Sequence, residues 1–311
     1  MMTAGSVTVM EVSPRDGLQN EPADVSTEDK LNLIDRALAA GARRIEVASF
    51  VHPELMPRMA DAEAVCRGLP QRGDVRYTGL VLNRRGYERL LATGRLDEVG
   101  IVVPGTDGFG QRNQGMTVRE GLAMATGILK DAHRKGIPAQ ATITVAFGCP
   151  FEGPVPAHQI MEIARALAAE GPVELALADT IGVGVPVQVR ALFQELKDVV
   201  GDELPMRAHF HDTRNMGIAN AAAALEAGVA TLDASIGGIG GCPFAPDATG
   251  NIATEDLVYL LDHSGLSHGL DLEQLIQTAG WLEGVLGKEV PSALLRAGDF
   301  IPSPASAAGE S

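Results

Sequence analysis

Two histidines separated by one residue, His209 and His211, have the clearest chemical meaning in this chain. Residues two apart on a β-strand point to the same face, so both imidazoles could bind one ion. A single strand histidine more often makes a structural hydrogen bond, but two at this spacing beside a carboxylate favour a metal site. Asp16 would supply an anionic oxygen and Asn251 a neutral amide oxygen. This donor set suits Mg2+ or Mn2+ and does not exclude Zn2+ or Co2+.

Charged residues near these candidate ligands could stabilise or move charge during a reaction. Arg15 precedes Asp16, and its guanidinium could stabilise oxygen charge in a transition state, although a surface ion pair is the alternative. Glu46 and Asp179 are weaker candidates, since an inward-pointing carboxylate either tunes acid-base chemistry or pairs with a cation in the core. Asp212 would orient a metal ligand or cap the next helix.

A lone cysteine, Cys242, follows Gly241 and precedes Gly250, nine residues before Asn251, in the stretch GGIGGCPFAPDATGNIATED. Flanking glycines let the backbone turn freely and leave the thiol reachable, as a catalytic lid requires. The alternative is a tight glycine turn with an incidental small hydrophobic residue. The other candidate residues, with the polar run SPRDGLQNE near the start and HFHD later, favour a metal enzyme.

Eight short β-branched or apolar runs recur along the chain and predict strands. They are Val7–Val12, Arg44–Ser49, Val75–Leu82, Glu98–Val103, Gln140–Phe147, Val173–Ala178, Met206–Phe210 and Thr231–Ile236. Amphipathic, alanine-rich segments with start signals such as Ser26 and Thr117 lie between them. Eight strand-helix units in series predict a single-domain α/β fold, a (β/α)8 TIM barrel. A doubly wound sheet would normally show GxGxxG after its first strand, where this chain has SPRDGLQ.

The barrel places the candidate residues together, because catalytic groups in this fold lie at the carboxyl ends of the strands. Arg15 and Asp16 follow the first predicted strand, His209 and His211 end the seventh, and Asn251 lies in the loop after the eighth. We expect one barrel domain over residues 1–297, with extra C-terminal helices. The small, proline-rich segment 298–311 is expected to be disordered.

Composition excludes several classes of function. The 311 residues carry a net charge of -15, with a pI near 4.9, which argues against binding nucleic acid or an anionic membrane. The start lacks a signal-peptide pattern, and no apolar run approaches the roughly 18 residues of a membrane span. Three cysteines form neither an even disulfide framework nor a CxxC cluster, which indicates free thiols and a cytoplasmic location.

Six sequence blocks together resemble the 3-hydroxy-3-methylglutaryl-CoA lyase family, among the metal-dependent lyase and synthase barrels. They are PRDGLQNE (Pro14–Glu21), IEVASFVHPELMPRMAD (Ile45–Asp61), GCPFEG (Gly148–Gly153), ADTIGVG (Ala178–Gly184), HFHDT (His209–Thr213) and GGCPFAPDATGNIATEDLVYLL (Gly240–Leu261). The resemblance implies cleavage of an acyl-CoA thioester to acetyl-CoA and acetoacetate, as in leucine degradation and ketone-body formation, and a homodimer. It implies Asp16, His209, His211 and Asn251 as metal ligands. It also implies Arg15 as enolate stabiliser, Cys242 as an acid-base group and His209, helped by Asp16, as proton acceptor.

Two segments depart from the family pattern near the expected active face. Arg214-Asn215-Met216 replaces the usual Tyr-Gly-Gln, and Gly105–Phe109 lacks a usual Ser-Glu pair. Arg214 could bind an additional substrate carboxylate, so a lyase for another 3-hydroxy-3-substituted acyl-CoA is an alternative. A condensing synthase of the isopropylmalate or homocitrate type and a non-catalytic metal-binding barrel are two others. Positive charge for CoA would come from Asn83-Arg84-Arg85, although an ordinary solvated helix start explains these residues equally well.

Overall fold

Eight parallel strands close into a barrel in the computed structural model, which describes residues 5–241 and 250–300. The strands are β1 (Thr8–Glu11), β2 (Arg44–Ser49), β3 (Arg76–Val81), β4 (Glu98–Pro104), β5 (Ala139–Thr144), β6 (Leu175–Asp179), β7 (Met206–Phe210) and β8 (Thr231–Ala234). Each pairs with its neighbours in sequence, and β8 pairs with β1 to close the barrel. The predicted TIM barrel is confirmed, and each of the eight predicted runs overlaps one strand.

The described helices lie outside this barrel and follow the strands in turn. They are α1 (Thr27–Ala39), α2 (Ala62–Gly68), α3 (Arg84–Thr93), α4 (Asp107–Asn113), α5 (Val118–Lys135), α6 (Ala157–Ala168), α7 (Pro186–Val200), α8 (Gly217–Glu226), α9 (Thr254–His263), α10 (Leu272–Leu286) and α11 (Leu294–Ala297). Two start signals act as expected: Ser26 accepts a hydrogen bond from the Asp29 amide, and Thr117 forms a capping box with Glu120. None of these helices has both the length and the apolar character that crossing a bilayer requires.

The helices after β8 extend the barrel, as the sequence predicts. Helix α10 packs against α1 and against a short 3-10 turn, Ile236–Gly238, that follows β8. Helix α11 ends at Ala297, the last residue of the predicted domain. Of the tail predicted to be disordered, only residues 298–300 are described, so its disorder and the domain bounds stay predictions.

The barrel interior is charged as well as apolar, which the alternating pattern of the strands did not predict. Arg207 of β7 extends past the small Ala176 of β6 and donates from Nη2 to Thr142 Oγ1 of β5, at 2.7 Å. Its Nε lies 2.9 Å from Glu174 Oε2, and Nη1 donates to Asp233 of β8. Outside this charged layer, large apolar side chains fill the space between barrel and helices.

Candidate metal centre

The four candidate ligands meet at the carboxyl end of the barrel. Asp16 lies in a five-residue π-helical turn, Ser13–Gly17, directly after β1. His209 lies in β7, and His211, one residue past its end, forms an isolated antiparallel bridge with Asn251. The sequence therefore predicted correctly which ends of the strands carry these side chains.

The two imidazoles face the same oxygen of Asp16 without hydrogen bonding to it. His209 Nε2 lies 3.8 Å and His211 Nε2 3.7 Å from Asp16 Oδ2, and one ligand atom from each of the three residues lies within 4.8 Å of the others. Asn251 Nδ2 donates to Asp16 Oδ2 at 2.9 Å. This spacing is too long for direct hydrogen bonds between the rings and the carboxylate, yet short enough for all three groups to bind one small ion.

Asn251 Oδ1 is buried and has no hydrogen-bond partner among the described residues. A buried polar atom left unpaired costs free energy, so the lack of a partner is consistent with a ligand. The amide oxygen is a donor atom that Mg2+ and Mn2+ accept, and two imidazoles with a carboxylate complete a set suited to divalent ions. The residues present therefore fit the cation that the resemblance implies.

Arg15 links this centre to β2. Its guanidinium donates to Asp16 through Nη1, and to Glu46 Oε2 through Nε at 2.8 Å and Nη2 at 2.5 Å. Burial alone would raise the pKa of Asp16, but Arg15 and the two histidines hold it well below its usual range. Burial raises the pKa of Glu46, and the contact with Arg15 only partly offsets this. Arg15 is only 9% exposed, so the surface ion pair considered from the sequence is wrong.

A cavity of about 630 Å³ opens beside these groups. Arg15, both histidines and Glu46 line its charged side, and residues of β3 and β4 such as Leu80 and Val102 line an apolar side. The end of α4 also contributes, from Phe109 onward. The departure at Gly105–Phe109 therefore does reach the cavity wall.

Other candidates lie farther from this centre or have structural contacts. Asp179 accepts hydrogen bonds from the amides of Val183 and Gly184 and holds the loop after β6, outside the described cavity lining. Arg214 is exposed and donates to the carbonyl oxygens of Ile181 and Gly182. Catalysis by Asp179 and substrate binding by Arg214 stay predictions, and Cys242 lies outside the described residues.

Three residues have the structural contacts that the sequence left open as an alternative. Asp212 Oδ1 accepts from the Gly217 amide at 2.6 Å and so supports the start of α8. Asn83 accepts from the Gly86 amide as the cap of α3, although it also lines the cavity. Arg84 pairs with Glu88 and Asp131, which satisfies its charge locally.

Sequence reasoning missed Asp233, Arg207 and Glu11. Asp233 Oδ2 lies 3.1 Å from His209 Nδ1 and also accepts from Arg207. Glu11 accepts from the amides of Ser13 and Ile236 and thus ties the loop after β1 to the loop after β8. In the sequence, the only signal for these residues is that every second residue of β1, β7 and β8 faces the barrel interior. That signal does not distinguish a residue of a functional site from a member of a core ion pair.

Known proteins similar to this chain match it over most of its length. The family model HMGL-like matches residues 6–281. The chain is 42% identical to (R)-citramalyl-CoA lyase of Chloroflexus aurantiacus, over 97% of this chain and 98% of that protein. It is 40% identical to hydroxymethylglutaryl-CoA lyase of Pseudomonas mevalonii, over 91% and 93%. The crystal structure of the HMG-CoA lyase of Bacillus subtilis superposes with a TM-score of 0.91 at 38% identity, over 96% of this chain and 99% of that one.

Proposed function

The chain belongs to the HMGL-like family and is a carbon-carbon lyase, and we propose that it cleaves a 3-hydroxy-3-methylglutaryl-type CoA thioester using Mg2+ or Mn2+. Its products would be acetyl-CoA and acetoacetate. This is the cleavage reaction of leucine degradation and ketone-body formation. A homodimer and a cytoplasmic location stay predictions.

One observation carries the proposal: Asp16, His209 and His211 converge beside the fixed guanidinium of Arg15 at the mouth of a cavity. Cleavage of the C2–C3 bond requires removal of the proton from the C3 hydroxyl and stabilisation of the negative charge that moves to the thioester. The arrangement offers groups for both tasks at one end of the barrel. The relatives named above are lyases, which supports cleavage over the condensation considered from the sequence.

The proposed steps balance without a redox partner. The C3 hydroxyl loses its proton, the C3–O bond becomes a carbonyl, and the C2–C3 electron pair moves to the thioester as an enolate. A divalent cation bound at this centre would lower the pKa of a substrate hydroxyl. The resemblance implies His209, helped by Asp16, as the proton acceptor, and Arg15 would stabilise the enolate oxygen. Cys242 would then protonate C2 to give acetyl-CoA.

The direct test is an assay of acetyl-CoA release from a panel of 3-hydroxyacyl-CoA thioesters, with protein stripped of metal and reloaded with Mg2+ or Mn2+. We expect metal-dependent release from the 3-hydroxy-3-methylglutaryl thioester. Condensation of acetyl-CoA with a 2-oxo acid, without cleavage of any thioester, would refute the proposal. So would equal activity with and without a chelator.

A second substrate is favoured by the 42% identity to (R)-citramalyl-CoA lyase over 97% of this chain. Citramalyl-CoA carries its carboxylate directly on C3, and the same bond cleavage would give acetyl-CoA and pyruvate. Both thioesters belong in one panel, and the ratio of their kcat/KM values decides between them.

A further inference from the structure

The imidazole of His209 is engaged on both sides. Its Nε2 faces Asp16 at 3.8 Å, and its Nδ1 lies 3.1 Å from Oδ2 of Asp233 on β8. Asp233 is only 3% exposed. Its Oδ2 also receives a hydrogen bond from Nη1 of Arg207. Because Asp233 Oδ2 accepts a hydrogen bond from Arg207, this carboxylate is ionised and can only accept from the imidazole. The hydrogen atom between Asp233 and His209 is therefore bonded to Nδ1.

We propose that Asp233 is a positioning residue for the metal centre: it holds His209 in the tautomer protonated on Nδ1, so that the lone pair of Nε2 points to the cation. The inference rests on the metal site proposed above. Carboxylates that orient metal-binding histidines in this way typically contribute 10- to 100-fold in metal affinity. Asp233 also borders the cavity, and the role proposed for it is its contact with His209.

A series of buried charges continues from Asp233 through the barrel. Arg207 binds Asp233 on one side and Glu174 on the other, with 2.9 Å between Nε and Oε2. Glu174 in turn lies 2.9 Å from Arg44, which binds Glu98 at 2.8 Å. Buried ion pairs of this kind contribute little net stability, because desolvation offsets the attraction. Of these residues only Arg207 contacts Asp233, so the hydrogen bond from its Nη1 is the contact that holds Oδ2 toward the ring.

The orientation of His209 limits the part that this residue can take in the reaction. With Nδ1 bound to Asp233 and Nε2 turned to the cation, His209 has no free nitrogen for the proton of the C3 hydroxyl. Another group at the cavity would then accept that proton. His209 would therefore serve as a metal ligand only, and this replaces the role of proton acceptor that the family resemblance implies for it.

The variant Asp233→Leu tests the inference by removing the acceptor at similar volume. Metal-free protein is titrated with Mn2+, and free Mn2+ is measured by electron paramagnetic resonance, which does not depend on activity. We expect the Kd for Mn2+ to rise about 10- to 100-fold. The matched control is Glu174→Met, which also removes a buried carboxylate from Arg207 but does not touch His209, and its Kd should stay within about threefold of wild type. Equal losses in the two variants would overturn the inference.

A measurement on the wild-type protein decides the question even if Asp233→Leu does not fold. Nitrogen chemical shifts of 15N-histidine-labelled protein report the tautomer of each ring, and His209→Gln assigns the signal. We expect His209 protonated on Nδ1 both without metal and with Mg2+. A neutral ring protonated on Nε2 alone in the metal-free protein would overturn the inference. Failure of the wild-type protein to bind Mn2+ would instead contradict the proposed function.

Discussion

Arg15 is held between two carboxylates before any substrate arrives. Glu46 Oε2 accepts two hydrogen bonds from it, and Asp16 accepts one. Although burial alone would lower the pKa of Arg15, these carboxylates raise it above its ordinary value, so the guanidinium stays charged. A fixed charge needs no reorganisation when negative charge develops nearby, and this is an effective form of transition-state stabilisation.

Replacement of Arg15 should therefore lower catalysis much more than metal binding. We expect Arg15→Met to lower kcat for acetyl-CoA release by about 10²- to 10³-fold, the usual loss when one such donor is removed. Arg15→Lys should recover only part of the rate, because an ammonium cannot donate to both carboxylates in the same planar geometry. A kcat for Arg15→Met close to wild type would contradict the proposed role.

At the residue scale, the sequence predicted the ligands better than the groups that support them. His209 and His211 are two apart, so their common direction follows from strand geometry alone. Asp233 lies 24 residues farther along the chain and meets His209 only because β7 and β8 are neighbours in the closed barrel. Spacing along the chain instead indicated Asp212 as the residue that orients a ligand, but its carboxylate accepts a hydrogen bond at the start of α8.

At the scale of elements, a close approach between two loops brings Asn251 to Asp16. Gly250 lies against the turn after β8, where an added Cβ would meet the carbonyl carbon of Ile239 at 2.5 Å and the amide nitrogen of Gly240 at 2.6 Å. Real Cβ atoms do not come so near to backbone, so only glycine fits this position. The backbone contact sets the place of the next residue, Asn251.

Gly250→Ala should therefore damage the metal centre without contacting it. We expect the Kd for Mn2+ to rise about tenfold or more, a cost of about 1.4 kcal/mol, as the alanine pushes Asn251 away. The control is Gly127→Ala in α5, where an added Cβ meets no atom within 4 Å and helix propensity favours alanine by up to about 1 kcal/mol. Mn2+ titration of both variants is the measurement, and unchanged affinity in Gly250→Ala would contradict the argument.

The strands and helices themselves could largely be predicted, because segments with the hydrophobic period of a strand alternate along the chain with segments that have the period of a helix. The main differences are at the boundaries. The predicted strand Gln140–Phe147 ends at Thr144, and Val145 adopts a positive φ of 47° directly after it. The π-helical turn that carries Asp16 has no signal in hydrophobic period, since it depends on contacts with the loop after β8 such as those of Glu11.

At the scale of the whole molecule, the proposed cation should link three distant strand exits and stabilise the fold. A ligand that binds only the folded state adds about 2.7 kcal/mol when present at 100 times its Kd. We expect metal-free protein to melt at a lower temperature than protein with Mn2+, and His211→Ala to abolish most of that difference. Calorimetry with and without Mn2+ provides the measurement. Equal melting temperatures for metal-free and metal-loaded wild type would contradict the site.

A buried carboxylate between the barrel and the C-terminal helices gives the protein a second, pH-dependent element of stability. Glu255 of α9 is fully buried and accepts from the Gly237 amide at 3.0 Å. Burial raises its pKa from 4.5 to about 8, although hydrogen bonds to Ser292 and the backbone act against this. In the unfolded chain the group would titrate near its ordinary value of about 4.3. At a pH between these two pKa values, the folded state therefore binds one proton more than the unfolded state.

The free energy of unfolding should consequently fall as pH rises through this interval. For one proton the slope approaches about -1.4 kcal/mol per pH unit, and it vanishes above the folded pKa. Glu255→Gln keeps the shape and cannot ionise, so the wild type should lose stability relative to this variant as pH rises from 5 to 8. Urea unfolding of both proteins at pH 5, 6, 7 and 8 measures the difference between their free energies of unfolding. Titratable groups that both proteins share contribute equally and do not affect this difference. A difference that stays constant, or grows in favour of the wild type, would mean that Glu255 is already ionised in the folded protein.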